Sequence, residues 1–484
     1  MKKLIAFLLF LWSPSLIAQN EWPLKPWVEV VGKDSLKQLG LSVSYLGKYG
    51  DSTRIGVSDV EGIRIYQLHS PADTVPKYFI KAGVSYVGLG AISALGDFNG
   101  DGIKDLVICT ADSVCIYLGK ADGNFDTIPF WTKHGFVGSN EFALAVGRIN
   151  GDGYDDLVVS SADVEGFTGE VDAYFGGPSM DTLADFAVHG DHNLSGFGVN
   201  VAVGDLNNDG FDDIIVRGYD GKSQVESQRF GYVKVYLGGN TIDTVAWEYL
   251  KGGDSYGPGL ACFDVNGDGI KDLLWANTDS SLCVYVHYGG SHIDSSPNIR
   301  LNNPGVGSFG LVIANAGDMN GDGYNDVAVA AYGATPDAGF VFIFSGGPNI
   351  DGNYDAAGGI GGNSYFGYSV VGIGDVDGDG LADILVGAPQ YEYNENRGYW
   401  AILLGNKNIP VTGVKKEDVA PPKVFELYQN YPNPFNPVTV ISYQSTVISN
   451  REEHLFTNEE THAHQVKRKG ATTMTRLLDG RISL

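Results

Sequence analysis

The sequence predicts an all-β protein, a seven-bladed β-propeller, from three observations. First, a nine-residue acidic loop occurs six times, beginning at residues 97, 148, 205, 264, 318 and 375, so that successive copies lie 51 to 59 residues apart. Second, each loop is followed at once by a short apolar run typical of a strand. Third, residues 41–68 repeat the strand pattern without the acidic loop. Small sheets that cannot bury their faces alone pack side by side around an axis.

The acidic loop has the composition of a calcium site. Residues 375–383 carry carboxylates at positions 1, 3, 5 and 9, and Gly380 at position 6 allows the positive φ of a sharp turn. Calcium accepts six to eight oxygen ligands in flexible geometry, and the carbonyl at position 7 would complete the set. We therefore predict about five Ca²⁺ sites, with these ligands: Asp97, Asn99, Asp101, Ile103, Asp105; Asp205, Asn207, Asp209, Phe211, Asp213; Asp264, Asn266, Asp268, Ile270, Asp272; Asp318, Asn320, Asp322, Tyr324, Asp326; Asp375, Asp377, Asp379, Leu381, Asp383.

The sixth copy, residues 148–156, has an arginine at position 1. A guanidinium there replaces a carboxylate ligand with a cation, so we predict that this loop binds no metal and that Arg148 forms salt bridges with Asp152 and Asp156. An EF-hand does not fit any copy, because it needs a twelve-residue loop between helices. Polar turns without metal remain the alternative.

The strands can be placed from the last period. Residues 365–374 are predicted as its first strand, 384–389 as the second and 399–404 as the third, while earlier periods add a fourth, such as 299–301. The last period lacks a fourth strand of its own, and residues 27–31 precede the first blade. We predict that this N-terminal strand closes the last blade, since closure removes open sheet edges. The propeller then spans residues 27–405.

Composition limits the partners. The formal net charge is -26, which argues against nucleic acid and anionic membrane surfaces. Residues 1–18 have the pattern of a signal peptide, with Lys2 and Lys3 before an apolar run, and no other run is long enough to span a membrane. Cys109 and Cys115 flank a short hairpin and could pair, whereas Cys262 and Cys283 are predicted on strands separated by a third.

Two parts of the chain also resemble known protein families. The pairs Phe197-Gly198, Phe309-Gly310 and Phe366-Gly367, the acidic loops and Gly387-Ala388-Pro389 resemble the FG-GAP repeats of integrin α-subunit propellers, over roughly residues 27–405. This resemblance implies Ca²⁺ in the acidic loops on one face and ligand binding on the opposite face.

The C-terminal part shows the second resemblance. After a linker at 406–423, residues 424–444 resemble the start of the C-terminal sorting domain of the type IX secretion system, which implies export to the outside of the cell or the outer-membrane surface. The chain departs from that family after about Gln444. Residues 445–484 are polar and basic without a strand period, so we predict a disordered tail or a frameshifted end.

Two function hypotheses follow. The sequence contains no Gly-x-Ser-x-Gly, His-Glu-x-x-His or phosphate-loop motif, which favours a non-enzymatic module that binds an extracellular protein or glycan. A secreted polysaccharide lyase on a calcium-bearing propeller is the alternative. His189 and His192 are weak candidates for a transition-metal site. The long connections of blades three, four, six and seven contain the predicted ligand-binding aromatics, with most of the rim in blades four and seven: Phe167, Tyr219, Tyr332, Tyr391, Tyr393.

Overall fold

The computed structural model describes residues 22–410, apart from positions 25, 35–36, 70–72, 82–92, 111–112, 136–141, 163, 192–194, 221–229, 255–257, 278–281, 335–337, 361–363 and 392–396. Near the C-terminus it describes residues 464–468, 471–478 and 481–483. The chain divides into two compact units, Met1–Gly413 and Val414–Leu484.

The first unit is a ring of seven antiparallel sheets, as the sequence predicts. The first strands of the blades contact one another in cyclic order, and that of blade seven returns to that of blade one. In chain order the strands are Val43–Tyr49, Ser52–Asp59, Gly62–Leu68 and Tyr78–Lys81 in blade one; Ser93–Gly96, Asp105–Cys109, Ser113–Tyr117 and Trp131–His134 in blade two; Phe142–Gly147, Asp156–Ser161, Glu170–Tyr174 and Phe186–His189 in blade three; Asn200–Gly204, Asp213–Asp220, Phe230–Tyr236 and Glu248–Asp254 in blade four; Leu260–Phe263, Asp272–Asn277, Cys283–His287 and Ile299–Leu301 in blade five; Val312–Gly317, Asp326–Ala334, Ala338–Phe344 and Ala356–Ile360 in blade six; Ser369–Gly374, Asp383–Ala388 and Tyr399–Leu403 in blade seven.

The N-terminal segment closes the ring. Pro26–Val31 runs antiparallel to Tyr399–Leu403 and is the fourth strand of blade seven, which confirms the predicted closure. Trp22–Pro23 adds a fifth strand to blade six, parallel to Ala356–Ile360. The sequence did not predict this strand, because two residues are too few to show a period.

The blades are held together by apolar faces on both sides of each sheet. The second strands are buried along their length, as in Asp105–Cys109, Asp156–Ser161 and Asp383–Ala388. Hydrophobic clusters join neighbouring blades; one of them combines residues of blades six and seven, including Val341, Phe366 and Val386. Buried runs of this kind fit sheets that are covered on both faces.

The Phe-Gly pairs form turns rather than strands. Residues 365–368 were predicted inside the first strand of blade seven, but that strand begins at Ser369. The prediction was wrong here because Gly367 has a φ of 89°, which breaks an extended chain. Its N–H donates to the carbonyl of Gly387, at 3.1 Å, while Phe366 is 1% exposed. The pair therefore anchors the start of a blade to the core beside it.

All four cysteines are free thiols. Cys109 lies opposite Val114 in the sheet, and Cys115 lies opposite Ile108. Since neighbouring residues of a strand point to opposite faces, the two thiols point away from each other and do not pair. Burial raises the pKa of Cys109 to about 12. Cys262 and Cys283 lie on strands separated by Asp272–Asn277, as predicted.

The ends of the chain differ in part from the prediction. Residues 406–410, placed in the linker, pack on blade six: the N–H of Asn406 donates to Met319, and Ile409 is 1% exposed. The second unit contains three short antiparallel strands, His464–Arg468, Ala471–Leu478 and Arg481–Ser483, where the sequence predicts none. Residues 1–18 and 424–444 lie outside the described residues. No helix among the described residues is long and apolar enough to cross a membrane.

Candidate calcium loops and the opposite face

All six acidic loops join the first and second strands of a blade, in blades two to seven. Because the first strands run in the same direction around the ring, these loops share one end of the propeller, which we call the acidic-loop face. The connections between second and third strands lie at the other end, which we call the cavity face. This division matches the expectation from the FG-GAP resemblance.

Backbone N–H groups hold the position 1 carboxylate in place. In blade seven, Gly378 donates to Oδ1 of Asp375 at 2.7 Å, and Gly380 donates to Oδ2 at 3.0 Å. Both glycines have positive φ, 86° and 88°, which turns their N–H groups inward. Asp97, Asp264 and Asp318 accept the N–H groups of the same two glycine positions. Asp205 accepts the N–H groups of Asp209 and Gly210 instead.

The position 9 carboxylate is the most buried member of the loop. Oδ2 of Asp383 accepts the N–H of Val376 at 2.9 Å, and Oδ1 accepts the N–H of Gly405 at 2.9 Å. Burial and the neighbouring aspartates raise its pKa to about 7, and that of Asp326 in blade six to about 8. A buried carboxylate that resists ionisation is stabilised in its charged form by a bound cation.

The donor set fits Ca²⁺. Oxygen atoms of Asp375, Asp377 and Asp383 lie within 4.8 Å of one another. Carboxylate, amide and carbonyl oxygens suit hard cations, while the loops lack the imidazole and thiolate ligands that softer metals prefer. Each carboxylate already accepts backbone N–H bonds, which fix its orientation, and a carboxylate has further lone pairs to share.

The arginine loop differs from its prediction in one respect. Nε of Arg148 pairs with Oδ1 of Asp155, at 3.2 Å, and not with Asp152 or Asp156. Asp155 also pairs with Lys104 and accepts the N–H of Asp97 at 2.8 Å. Arg148 turns to this neighbour because Asp156 is held in the blade by backbone N–H donors from residues 149, 150 and 176.

Replacement of Arg148 by aspartate should create a metal site. Asn150, Asp152 and Asp156 keep the hydrogen bonds seen in the intact loops, and Gly151 and Gly153 have φ values of 72° and 98°. Only the position 1 ligand is missing. We expect R148D to bind about one more Ca²⁺ than the parent protein, measured by metal analysis after dialysis, whereas R148A should bind no more. An unchanged ion content in R148D would contradict this account of the loop.

The acidic loops also connect neighbouring blades. The N–H of Asp155 donates to the carbonyl of Asp97 at 3.0 Å, and the N–H of Ala382 donates to that of Asp318 at 2.8 Å. The third residue after the third strand adds a second bond, as when the N–H of Gly177 donates to the carbonyl of Phe98 at 2.7 Å. An ion that orders one loop would therefore stabilise the junction between two blades.

The cavity face has an opening on the propeller axis. A cavity of about 340 Å³ is lined by the first strands of all seven blades. Its described lining is mostly aliphatic, with polar groups from Ser42, Ser44, Asn200 and Ser369 and the rings of Tyr45 and Tyr368, and no described lining residue is charged. The described lining is thus neutral, although the chain has a net charge of -26.

The described members of the predicted ligand-binding set lie in four different blades and differ in exposure. Phe167 is 44% exposed and belongs to a short helix, Val164–Phe167. Tyr219, Tyr332 and Tyr391 are half-buried rather than exposed. The ring of Tyr219 lies against Gly196, and that of Tyr391 lies 5.0 Å from the ring of Tyr399. Tyr393 and His192 lie outside the described residues, while His189 is exposed.

A cluster of three tyrosines lies between blades six and seven. Tyr332 is 4.9 Å from Tyr368 and 5.8 Å from Tyr365, measured between ring centroids. Tyr368 also lines the axial cavity, and Tyr365 has a positive φ of 54°, which is strained for a bulky residue. Tyr365 and Tyr368 are not among the residues predicted from the sequence. Both flank Phe366-Gly367, and the turn at this pair was the available signal.

Family comparisons define the class of protein. The chain matches the FG-GAP-like repeat over residues 97–159 and 264–329, and the FG-GAP repeat over residues 197–236 and 366–399. The protein is thus a seven-bladed propeller that carries FG-GAP repeats.

Several integrin α chains are similar to this chain. Integrin alpha-5 of Xenopus laevis is 32% identical over 211 residues, 40% of this chain and 20% of the relative. Integrin alpha pat-2 of Caenorhabditis elegans is 31% identical over 271 residues, which are 48% of this chain and 20% of the relative. Integrin alpha-IIb of Mus musculus is 37% identical over 153 residues, which are 28% of this chain and 15% of the relative. This chain therefore aligns with a fifth or less of each relative. A lectin of Agrocybe aegerita aligns with a TM-score of 0.40 at 18% identity, over 68% of this chain and 82% of its own.

Proposed function

We propose that this protein is a calcium-stabilised binding or adhesion module that recognises an extracellular protein or glycan. The observation that carries the proposal is the common geometry of the five intact acidic loops, in which backbone N–H groups hold the position 1 and position 9 carboxylates in place. Five sites on one face supply stability, and they leave the cavity face free for a partner.

The extracellular location rests on three supports. The similarity to integrin α chains covers up to 48% of this chain among the relatives given above. Residues 1–18 have the pattern of a signal peptide, and residues 424–444 resemble a type IX sorting domain. We propose a secreted or surface-attached protein on this basis. Mass spectrometry of the culture medium and the outer-membrane fraction would locate it, and recovery from the cytoplasm alone would contradict the proposal.

The cavity face is the proposed binding surface. Its opening has an uncharged described lining beside the cluster of Tyr332, Tyr365 and Tyr368. Tyrosine offers a large contact area at low entropic cost, and buried aromatic anchors dominate many interfaces. The part of a ligand that enters the cavity would be neutral, since an isolated charge would lose its hydration there without a partner.

A double substitution tests this surface. We expect Y365A with Y368A to weaken binding to a partner found on glycan and protein arrays by roughly thirtyfold, the effect of losing about 2 kcal/mol at an aromatic anchor. Phe79, 42% exposed on the outer strand of blade one, provides the matched control F79A. Equal binding by the double variant and F79A, at unchanged melting temperature, would reject the site.

The predicted ligand-binding rim of blades four and seven is tested separately, with the same binding measurement. Y219A with Y391A should reduce binding if that rim contacts the partner. Because both rings are half-buried, the melting temperature of this variant must be measured beside its affinity. The lyase alternative is tested by incubating the protein with polysaccharides and measuring unsaturated products. Such an enzyme would need His, Tyr, Arg or Lys together in one cleft. The described cavity lining supplies Tyr45 and Tyr368 but no His, Lys or Arg.

A further inference from the structure

A tripeptide of aspartate, threonine and an aliphatic residue occurs at the same place in four consecutive blades. It reads Asp-Thr-Val at 73–75, Asp-Thr-Ile at 126–128, Asp-Thr-Leu at 181–183 and Asp-Thr-Val at 243–245. Each copy lies between the third and fourth strands of blades one to four. These connections are at the outer edge of the acidic-loop face. We call their hydroxyl residues, Thr74, Thr127, Thr182 and Thr244, the rim threonines.

The local turn between the third and fourth strands gives a role to the aspartate of the tripeptide, but not to the threonine or the aliphatic residue. In three of the four copies the aspartate Oδ1 accepts the N–H two residues on, at 2.9 Å for Asp73, 2.7 Å for Asp181 and 2.9 Å for Asp243. Oδ1 of Asp126 instead pairs with Lys120, at 2.7 Å. Blade six forms the same bond from Asn353 to Asp351, at 2.7 Å, with glycine and asparagine in the next two positions. The aspartate therefore serves the turn or a local ion pair, but neither role requires threonine followed by an aliphatic residue.

The other two positions are open to solvent. All four rim threonines are exposed, and their hydroxyls make no hydrogen bond to any described residue. The aliphatic residues are the most exposed large hydrophobics of the described chain: Val75 62%, Ile128 77%, Leu183 75%, Val245 72%. Exposure of such side chains forgoes the free energy that their burial would contribute. A repeated exposed pair that the fold does not require indicates recognition by another molecule.

We propose that the rim threonines are sites of O-glycosylation, and that a glycosyltransferase reads the tripeptide. The aspartate orders the turn, the aliphatic side chain fills a pocket of the enzyme, and the threonine hydroxyl is the acceptor. Its Oγ forms a bond to the anomeric carbon of a sugar from a nucleotide- or lipid-linked phosphate donor. The bond between that carbon and the phosphate oxygen breaks, the phosphate leaves with the electron pair, and the hydroxyl proton passes to a base of the enzyme.

Charge favours a sugar over a phosphate at these hydroxyls. Each rim threonine follows an aspartate in a chain of net charge -26. A phosphate adds roughly two more negative charges beside a carboxylate, which is repulsive, whereas a neutral glycan adds none. A glycan on the threonine also covers the adjacent aliphatic side chain with hydroxyl groups. The proposal is independent of calcium and of the cavity face.

Mass spectrometry of the full chain purified from its native source tests the proposal. We expect the peptides with the rim threonines to carry sugar mass, and fragmentation that keeps side-chain groups intact should place it on the hydroxyls. The same chain made by cell-free translation, which supplies no glycosyl donor, should have the bare mass. Bare peptides from the native source, or a phosphate increment, would overturn the proposal.

Two matched controls make the result specific. Thr241 is exposed in the same connection as Thr244 but follows an asparagine, so it should stay unmodified. In the native source, T182S should keep the glycan on the blade three peptide, while T182V and L183S should lose it at unchanged melting temperature. Modification of Thr241 to the same extent as Thr244, or retention of the glycan in L183S, would show that the tripeptide is not what is recognised.

Discussion

Removal of calcium should lower the melting temperature of the propeller by many degrees. Extracellular calcium sites bind at roughly 10⁻⁴–10⁻³ M, so each of five sites adds about 1 kcal/mol at millimolar Ca²⁺ by mass action. Their sum is comparable with the total stability of a typical domain, about 5–15 kcal/mol. Without the ion, position 9 carboxylates such as Asp326 and Asp383 remain buried beside other aspartates, and burial raises their pKa values to about 8 and 7.

The measurement is a thermal melt followed by circular dichroism, in millimolar Ca²⁺ and in EDTA at equal ionic strength. A D375N/D377N variant should lose about one fifth of the calcium-dependent shift, because it weakens one of five predicted sites. The variant R148A provides the control, since its loop is predicted to hold no ion. Identical melting temperatures in Ca²⁺ and EDTA would refute the structural role of the ions.

Deletion of the closing strand should prevent cooperative folding. A chain that begins at residue 33 lacks Pro26–Val31, so Tyr399–Leu403 becomes an open sheet edge. The deletion also removes Val28, which is 7% exposed and packs in a cluster with Trp400 and Ile402. Each large apolar side chain uncovered costs about 1.5–3 kcal/mol, and an unpaired edge promotes association with other chains. We expect aggregation, or a melt without a sharp transition.

A chain that begins at residue 26 is the matched control. It keeps the closing strand and loses only the pair Trp22–Pro23 with Leu24, which is 8% exposed. This chain should elute like the full chain in size-exclusion chromatography, with a modestly lower melting temperature. If both truncated chains melt alike and elute like the full chain, ring closure by the N-terminal strand is not what stabilises blade seven.

The blade number and the candidate metal loops could be predicted from sequence because each depends on residues that are close in the chain. All five ligands of a loop fall within nine residues, so their spacing alone indicates the site. The spacing of the loops gives six blades, and the strand pattern of 41–68 gives the seventh. The missing fourth strand of blade seven, with residues 27–31 left over, indicated the closure that the register of Val28 opposite Ile402 confirms.

Contacts between blades were decided only by the tertiary structure. Asp155 of blade three accepts the N–H of Asp97 and pairs with Lys104, both in blade two. This placement of Asp155 decides the partner of Arg148 within the same loop, since Asp152 and Asp156 accept N–H donors of their own blade. The cluster of Tyr332 with Tyr365 and Tyr368 forms across the junction of blades six and seven, where no period in the sequence marks it. The sequence of a nine-residue loop determines which oxygen ligands that loop can offer to a metal. The residues that meet across a junction are more than thirty positions apart here, and only the packing of whole sheets brings them together.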